Sequence, residues 1–248
     1  MMQVVTPSIF VACPAYGEHI TTPTVWSLMH LALDLPRRGI DVKFSTYSYH
    51  DIVRIRNLML TYWYDRMQDT SHILFVDADN KFEPHIVVRM LQKNVPCVGL
   101  VYPKKAPNEG FVGAFLADEL PGRDGFMKVR GLGGGCLLIR RDCVDRILEA
   151  DPYLSDDREP DEVMHGDLIK QMEIKRVISA FDRKFVTLNG KMRELGEDFS
   201  FCWRVREANM DIWADVADPN SHVGWQEFSG AMYPRELEGT DTVTGVAG

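Results

Sequence analysis

Asp77 and Asp79 are separated by one residue, Ala78, and follow directly on the apolar run His72-Ile73-Leu74-Phe75-Val76. In extended backbone, side chains two apart point the same way, so both carboxylates are expected to face one site. Two carboxylates held together repel, and a hard divalent cation such as Mg²⁺ or Mn²⁺ relieves that repulsion. A solvated turn after a strand also favours Asp, so the triplet alone does not choose between the two readings. The second conspicuous feature is Gly131-Leu132-Gly133-Gly134-Gly135-Cys136. It follows G-x-G-x-x-G until its last position, where Cys136 stands, and Cys136-Leu137-Leu138-Ile139 reads as strand rather than helix. A dinucleotide-binding turn is therefore not expected. Glycines there permit close backbone approach, either a floor under a ligand or a plain bulge.

The elements that must position these residues alternate. Ser8 to Cys13 is a short β-branched run that stops at Pro14, as a buried strand would. Thr22-Pro23 opens a helix with Val25, Trp26, Leu28, Met29, Ala32 and Leu33 on a broad apolar face, ended by Pro36 and Gly39. Asp41 to Tyr47 alternates as a half-buried strand. A helix is predicted from about Asp51 to Met67, a strand over His72–Val76, a helix from Pro84, and a buried strand over Cys97–Val101. This rhythm predicts an α/β fold with a mostly parallel sheet covered by helices on both faces. Ligands of such sheets bind at the carboxyl ends of the strands, where Asp77 and Asp79 fall. Further on, Phe126–Val129 and Cys136–Ile139 flank the glycines. A helix at about 197–208 then leads into a strand over Asp211–Ala214.

Several short segments, taken in order, resemble the GT-A glycosyltransferases, and most closely their small phage and algal-virus members. Phe75-Val76-Asp77-Ala78-Asp79, followed by Phe82-Glu83-Pro84, is similar to the D-x-D segment of that family. Pro14-Ala15-Tyr16 is similar to its nucleobase-binding turn, and Arg56-Asn57 to its A-R-N segment. Gly196-Glu197-Asp198 is similar to its E-D motif, and Ser221-His222-Val223-Gly224 to its late metal-site histidine. Tyr102-Pro103-Lys104-Lys105 and the glycine run add to the likeness, which spans residues 8 to about 225.

The resemblance implies a GT-A fold and a metal-dependent transfer of sugar from a nucleoside-diphosphate sugar, with a UDP-sugar as leading candidate, to an acceptor hydroxyl. It implies Asp79 and His222 as metal ligands, with Asp77 on the metal or ribose. Imidazole tilts the choice toward Mn²⁺ over Mg²⁺. Pro14, Ala15, Tyr16, Ala78 and Gly134 would line the donor, and Arg56 and Lys104 would meet its diphosphate as fork and point charge. Arg54 and Lys105 read as solvated surface charge. Asp198 would be the base of an inverting reaction. Its place in the first turn of a helix favours the ionised form, so no strongly raised pKa is expected. Two other readings stay open: a haloacid-dehalogenase-type phosphatase with Asp77 as nucleophile, and a non-catalytic sugar-nucleotide-binding module.

Composition bounds these readings. The chain has 248 residues, 28 basic and 36 acidic, for a formal charge of −8. So acidic a chain disfavours a nucleic-acid acceptor and leaves glycans, glycoproteins or other hydroxyl acceptors. No apolar run is long enough to span a bilayer, and Met1 to Val5 lack the basic region of a signal peptide. The five cysteines show no C-x-x-C spacing and read as reduced core thiols of a cytoplasmic protein. Residues 1–103 are expected to form the nucleotide-sugar half and 104–232 the acceptor-side half of one domain. Within the latter, 151–193 reads as a loop or lid with seven acids between Asp151 and Asp167. Residues 233–248 read as a disordered tail.

Overall fold

The computed structural model describes residues 7–48, 50–106, 109–156, 169–224 and 226–233. Strand β1 (Ser8–Ala15) is buried along its whole length. Its alternation sends Ile9 and Val11 into one apolar core and Phe10 and Ala12 into another, on opposite faces of the sheet. The first half continues with α1 (Thr22–Arg37), β2 (Asp41–Ser48), α2 (Ile52–Arg66), β3 (His72–Val76), β4 (Asn80–Lys81), α3 (Pro84–Lys93) and β5 (Cys97–Leu100). The second half supplies β6 (Ala114–Phe115), β7 (Phe126–Gly131), β8 (Cys136–Arg140), α4 (Arg141–Ala150), β9 (Ser155–Asp156) and β10 (Val177–Ile178). After these come β11 (Phe185–Leu188), β12 (Lys191–Glu194), α5 (Glu197–Glu207), β13 (Ile212–Asp215), β14 (Asn220–Val223) and β15 (Glu227–Gly230).

Eight strands form the central sheet in the order β2-β1-β3-β8-β5-β13-β7-β6. β2, β1, β3, β5, β13 and β6 run one way, and β8 and β7 run against them. The chain thus adopts the expected α/β architecture, Rossmann-like, with a mostly parallel sheet. Leu31 and Leu35 of α1 and Ile86, Val87 and Met90 of α3 cover one face, and Trp63 of α2, Ile147 of α4 and Phe201 of α5 pack on the other. A smaller sheet, β15-β14-β4, is attached at the edge that follows β3.

The local details depart from the sequence reading in instructive ways. β1 does not stop before Pro14 but runs through it to Ala15. Its pairing with β3 ends at Ala12, so the missing N–H of Pro14 leaves no gap in that ladder. In α1 the inward residues are Thr24, Ser27, Leu31 and Leu35, while Val25, Trp26, Met29 and Leu33 are exposed. Polar residues turn inward because they have buried work to do: the Ser27 hydroxyl accepts the buried Phe82 N–H at 3.0 Å. Where it is described, 151–193 contains the β9–β10 pair and the β11–β12 hairpin rather than continuous loop. The acidic residues from 157 to 168, and the tail from 234 to 248, lie outside the described residues. All five cysteines are buried and free. No helix among the described residues is long and apolar enough to cross a membrane.

Candidate active site

The parallel register of β1 and β3, ending at Ala12 opposite Phe75, brings Pro14-Ala15-Tyr16 and Asp77-Ala78-Asp79 to the same sheet edge. Pro14 and Ala15 are buried, and Tyr16 stands 70% exposed with its ring 6.3 Å from that of His50. Residues 77–80 form a turn in which the Asn80 N–H donates to the Asp77 carbonyl at 3.2 Å. That turn breaks the alternation expected of extended backbone, and the two carboxylates take different partners. Ala78 contributes its carbonyl, which accepts the Thr21 N–H at 2.8 Å and ties the turn to the start of α1.

Asp77 faces Arg56. The Arg56 side chain is only 2% exposed; its Nη2 donates to Asp77 Oδ1 at 2.6 Å and its Nη1 to the Gly134 carbonyl at 3.3 Å. Glu197 Oε1 stands 3.8 Å from Arg56 Nε, and the guanidinium lies 5.5 Å from the Phe75 ring. Burial works against the charge of Arg56, but Asp77, Glu197 and Asp198 outweigh it and raise its pKa. A Cβ on Gly134 would fall 2.5 Å from Arg56 Nη2, so the glycine run serves here to admit the guanidinium. Arg56, read from the sequence as a fork for diphosphate, is largely occupied in holding Asp77 and the start of α5.

Asp198 sits in the first turn of α5, half-buried, its Oδ1 accepting the Phe199 N–H at 2.7 Å. Burial, then the neighbouring Glu197 carboxylate, push its pKa up to about 6 against the pull of Arg56. This corrects the expectation drawn from the helix amino end: desolvation is the larger effect. Tyr102 is buried between the two halves of the site. Its hydroxyl accepts the Gly135 N–H at 3.3 Å, and its ring meets that of His222 edge-on at 5.0 Å.

Asp79 faces His222. The pairing of β4 with β14 sets His222 opposite Asn80, and the Val223 N–H donates to the Asp79 carbonyl at 2.7 Å. His222 Nε2 consequently lies 3.6 Å from Asp79 Oδ1. His222 Nδ1 donates to the Pro103 carbonyl at 3.0 Å, an acceptor that requires the proton on Nδ1. With that tautomer the Nε2 lone pair faces a carboxylate, and a proton, a water or a cation is what can join the two. The Lys105 ammonium contacts the other carboxylate oxygen, Oδ2. Burial raises the Asp79 pKa, but His222 and Lys105 prevail and hold it below the usual carboxylate range.

These donors fit a divalent cation. The imidazole is oriented by the Pro103 carbonyl, the carboxylate already attracts a cation, and Mg²⁺ or Mn²⁺ takes few protein ligands when substrate phosphate completes its shell. Asp77 does not join them, because Arg56 holds it, and no group of three potential ligands occurs among the described residues. Beside Asp79, Asn80 is 1% exposed and its side-chain amide finds no hydrogen-bond partner among the described residues.

Lys105, Tyr102 and Glu197 are the site members that sequence reasoning undervalued. Lys104, the lysine it preferred, is exposed and borders a cavity of about 430 Å³ with Pro103, Phe111 and Phe228. Of two adjacent lysines, spacing alone could not say which reaches Asp79. Glu197 carried a signal through its adjacency to Asp198.

No protein-family model and no curated protein sequence matches the chain. Among solved structures it is similar to A197 from STIV, at 16% identity and a TM-score of 0.49, over 98% of this chain and 99% of that one. A glycosyltransferase involved in the glycosylation of the major capsid of PBCV-1 is similar at 10% identity and a TM-score of 0.34, over 60% of this chain and 65% of that one. A putative glucose-1-phosphate thymidylyltransferase from Bacillus anthracis is similar at 11% identity and a TM-score of 0.37, over 58% of this chain and 76% of that one. Likeness at this level leaves the roles of residues to be argued from the site itself.

Proposed function

We propose that the chain is a metal-dependent glycosyltransferase that moves a sugar from a nucleoside-diphosphate sugar, UDP-sugars first among them, to an acceptor hydroxyl with inversion. The observation that carries this reading is the approach of His222 Nε2 to Asp79 Oδ1, 3.6 Å apart from positions 143 residues distant in sequence. A divalent ion held by these two, Mn²⁺ or Mg²⁺, supplies a Lewis acid for the charge that develops on the leaving diphosphate.

The chain's own residues do the rest. Tyr16 offers an exposed ring for the base at the end of β1. Asp77, fixed by Arg56, presents its second oxygen to the ribose side of the donor. Asp198 accepts the proton of the acceptor hydroxyl as the hydroxyl oxygen bonds to the anomeric carbon and the bond from that carbon to the diphosphate oxygen breaks. A carboxyl with a pKa raised to about 6 is a stronger base than an ordinary aspartate and is still ionised at neutral pH.

The phosphatase reading needs Asp77 as a free nucleophile, and one of its oxygens is already given to Arg56. The test is nucleoside-diphosphate release from a panel of nucleotide sugars with Mn²⁺, comparing wild type with Asp198→Asn. Turnover lost in the variant while nucleotide binding persists is the expected result. Donor binding with no turnover in the wild type would instead favour a binding module, and an aspartyl-phosphate on Asp77 would revive the phosphatase.

A further inference from the structure

The carboxylate assigned above to a divalent cation is already neutralised by a side chain of the same molecule. Lys105 Nζ contacts Asp79 Oδ2 while His222 stands at Oδ1. The lysine stem passes beside Gly224, where an added Cβ would lie 3.4 Å from Lys105 Cδ and 3.8 Å from its Cγ, at van der Waals contact. Gly224 is in turn fixed by its N–H, which donates to the Gln226 carbonyl at 2.8 Å at the end of β14. The lysine thus lies beside the residue that follows β14, the strand that carries His222. The two cations would sit on different oxygens of one carboxylate, where they share a single negative charge and repel each other, so a divalent ion at Oδ1 weakens the hold of Oδ2 on the ammonium.

We propose that Lys105 is an internal competitor for the metal ion. In the metal-free chain its ammonium occupies Asp79; when the ion binds, the ammonium leaves the carboxylate and serves the diphosphate as a point charge. No covalent bond changes, since one cation replaces another. The inference rests on the reading that Asp79 and His222 hold a metal ion, and it adds the group that competes with that ion for the charge of Asp79. It also makes metal and nucleotide binding mutually reinforcing, because a diphosphate that engages the ammonium frees the carboxylate, and linkage is reciprocal.

Titration calorimetry on the full chain tests this with two probes, Mn²⁺ alone and UDP at saturating Mn²⁺. Lys105→Met should tighten Mn²⁺ binding about fivefold, the scale of a partly exposed ion pair, and weaken UDP binding by a similar factor. Opposite signs are the signature, since a merely structural lysine would shift both affinities the same way. Lys105→Gln, which keeps a polar head without the charge, repeats the measurement should the Met variant fold poorly. Unchanged or weaker Mn²⁺ binding in the variants, with the wild type binding normally, overturns the competitor and leaves the metal site standing. No Mn²⁺ binding in any of the proteins overturns both.

Discussion

Asp198 is pulled in opposite directions by its surroundings. The helix amino end and Arg56 favour its charge, while burial and Glu197 oppose it, and opposition prevails, with a pKa pushed up to about 6. A base works ionised, so kcat/KM should fall about tenfold per pH unit below that value and level off above it. A profile flat to pH 5 would remove Asp198 from this role. The same shift bears on stability with a definite sign. A folded-state pKa above the unfolded one contributes stability at low pH that is lost as pH rises through about 6. Asp198→Asn should therefore raise the thermal midpoint relative to wild type at pH 8 and not at pH 4, as melting curves at both pH values would show. Arg56 lies at the opposite extreme, a buried cation whose removal strands Asp77. Arg56→Met is expected to cost about 3 kcal/mol in urea unfolding, and a cost below about 1 kcal/mol would mean that the ion pair is not holding the site together.

At the scale of elements, the glycine run and α1 show what a sequence reveals and what it hides. The glycines were conspicuous, but whether they served a ligand or a bulge depended on what lay beneath them. In the structure it is Arg56, 78 residues away in the chain. Gly134→Ala should displace the guanidinium, cost about 1–3 kcal/mol, and lower turnover; a variant of unchanged stability and activity would contradict the contact. In α1 the hydrophobic pattern named Trp26 and Leu33 as core, yet they are 55% and 58% exposed. Periodicity cannot see that the buried Phe82 N–H needs the Ser27 hydroxyl and so rotates the helix. Trp26→Ala should accordingly change unfolding free energy by less than about 1 kcal/mol, whereas Leu31→Ala should cost about 2–5 kcal/mol. The reverse ranking in urea titrations would restore the face expected from the sequence. The strand–helix alternation of the first half was legible because each element buries a face with its own period. β8 and β7 were legible as strands but not in direction, which is set by where the chain returns after residue 100 rather than by any local preference.

For the whole molecule, the decisive event is a meeting of distant segments. Asp79 follows β3 and His222 lies on β14, and only the attachment of β4 to the smaller sheet brings them together. Motif order suggested the meeting, and strand pairing supplies its physical cause. Whether these two side chains serve one ion is decided by a double-mutant cycle. Mn²⁺-dependent UDP affinity would be measured for wild type, Asp79→Asn, His222→Ala and the double variant, each with an EDTA control. The expected result is strong coupling: either single variant loses nearly all of the Mn²⁺-dependent gain, and the double loses little more. Losses that simply add, or UDP binding indifferent to Mn²⁺ in the wild type, would contradict it.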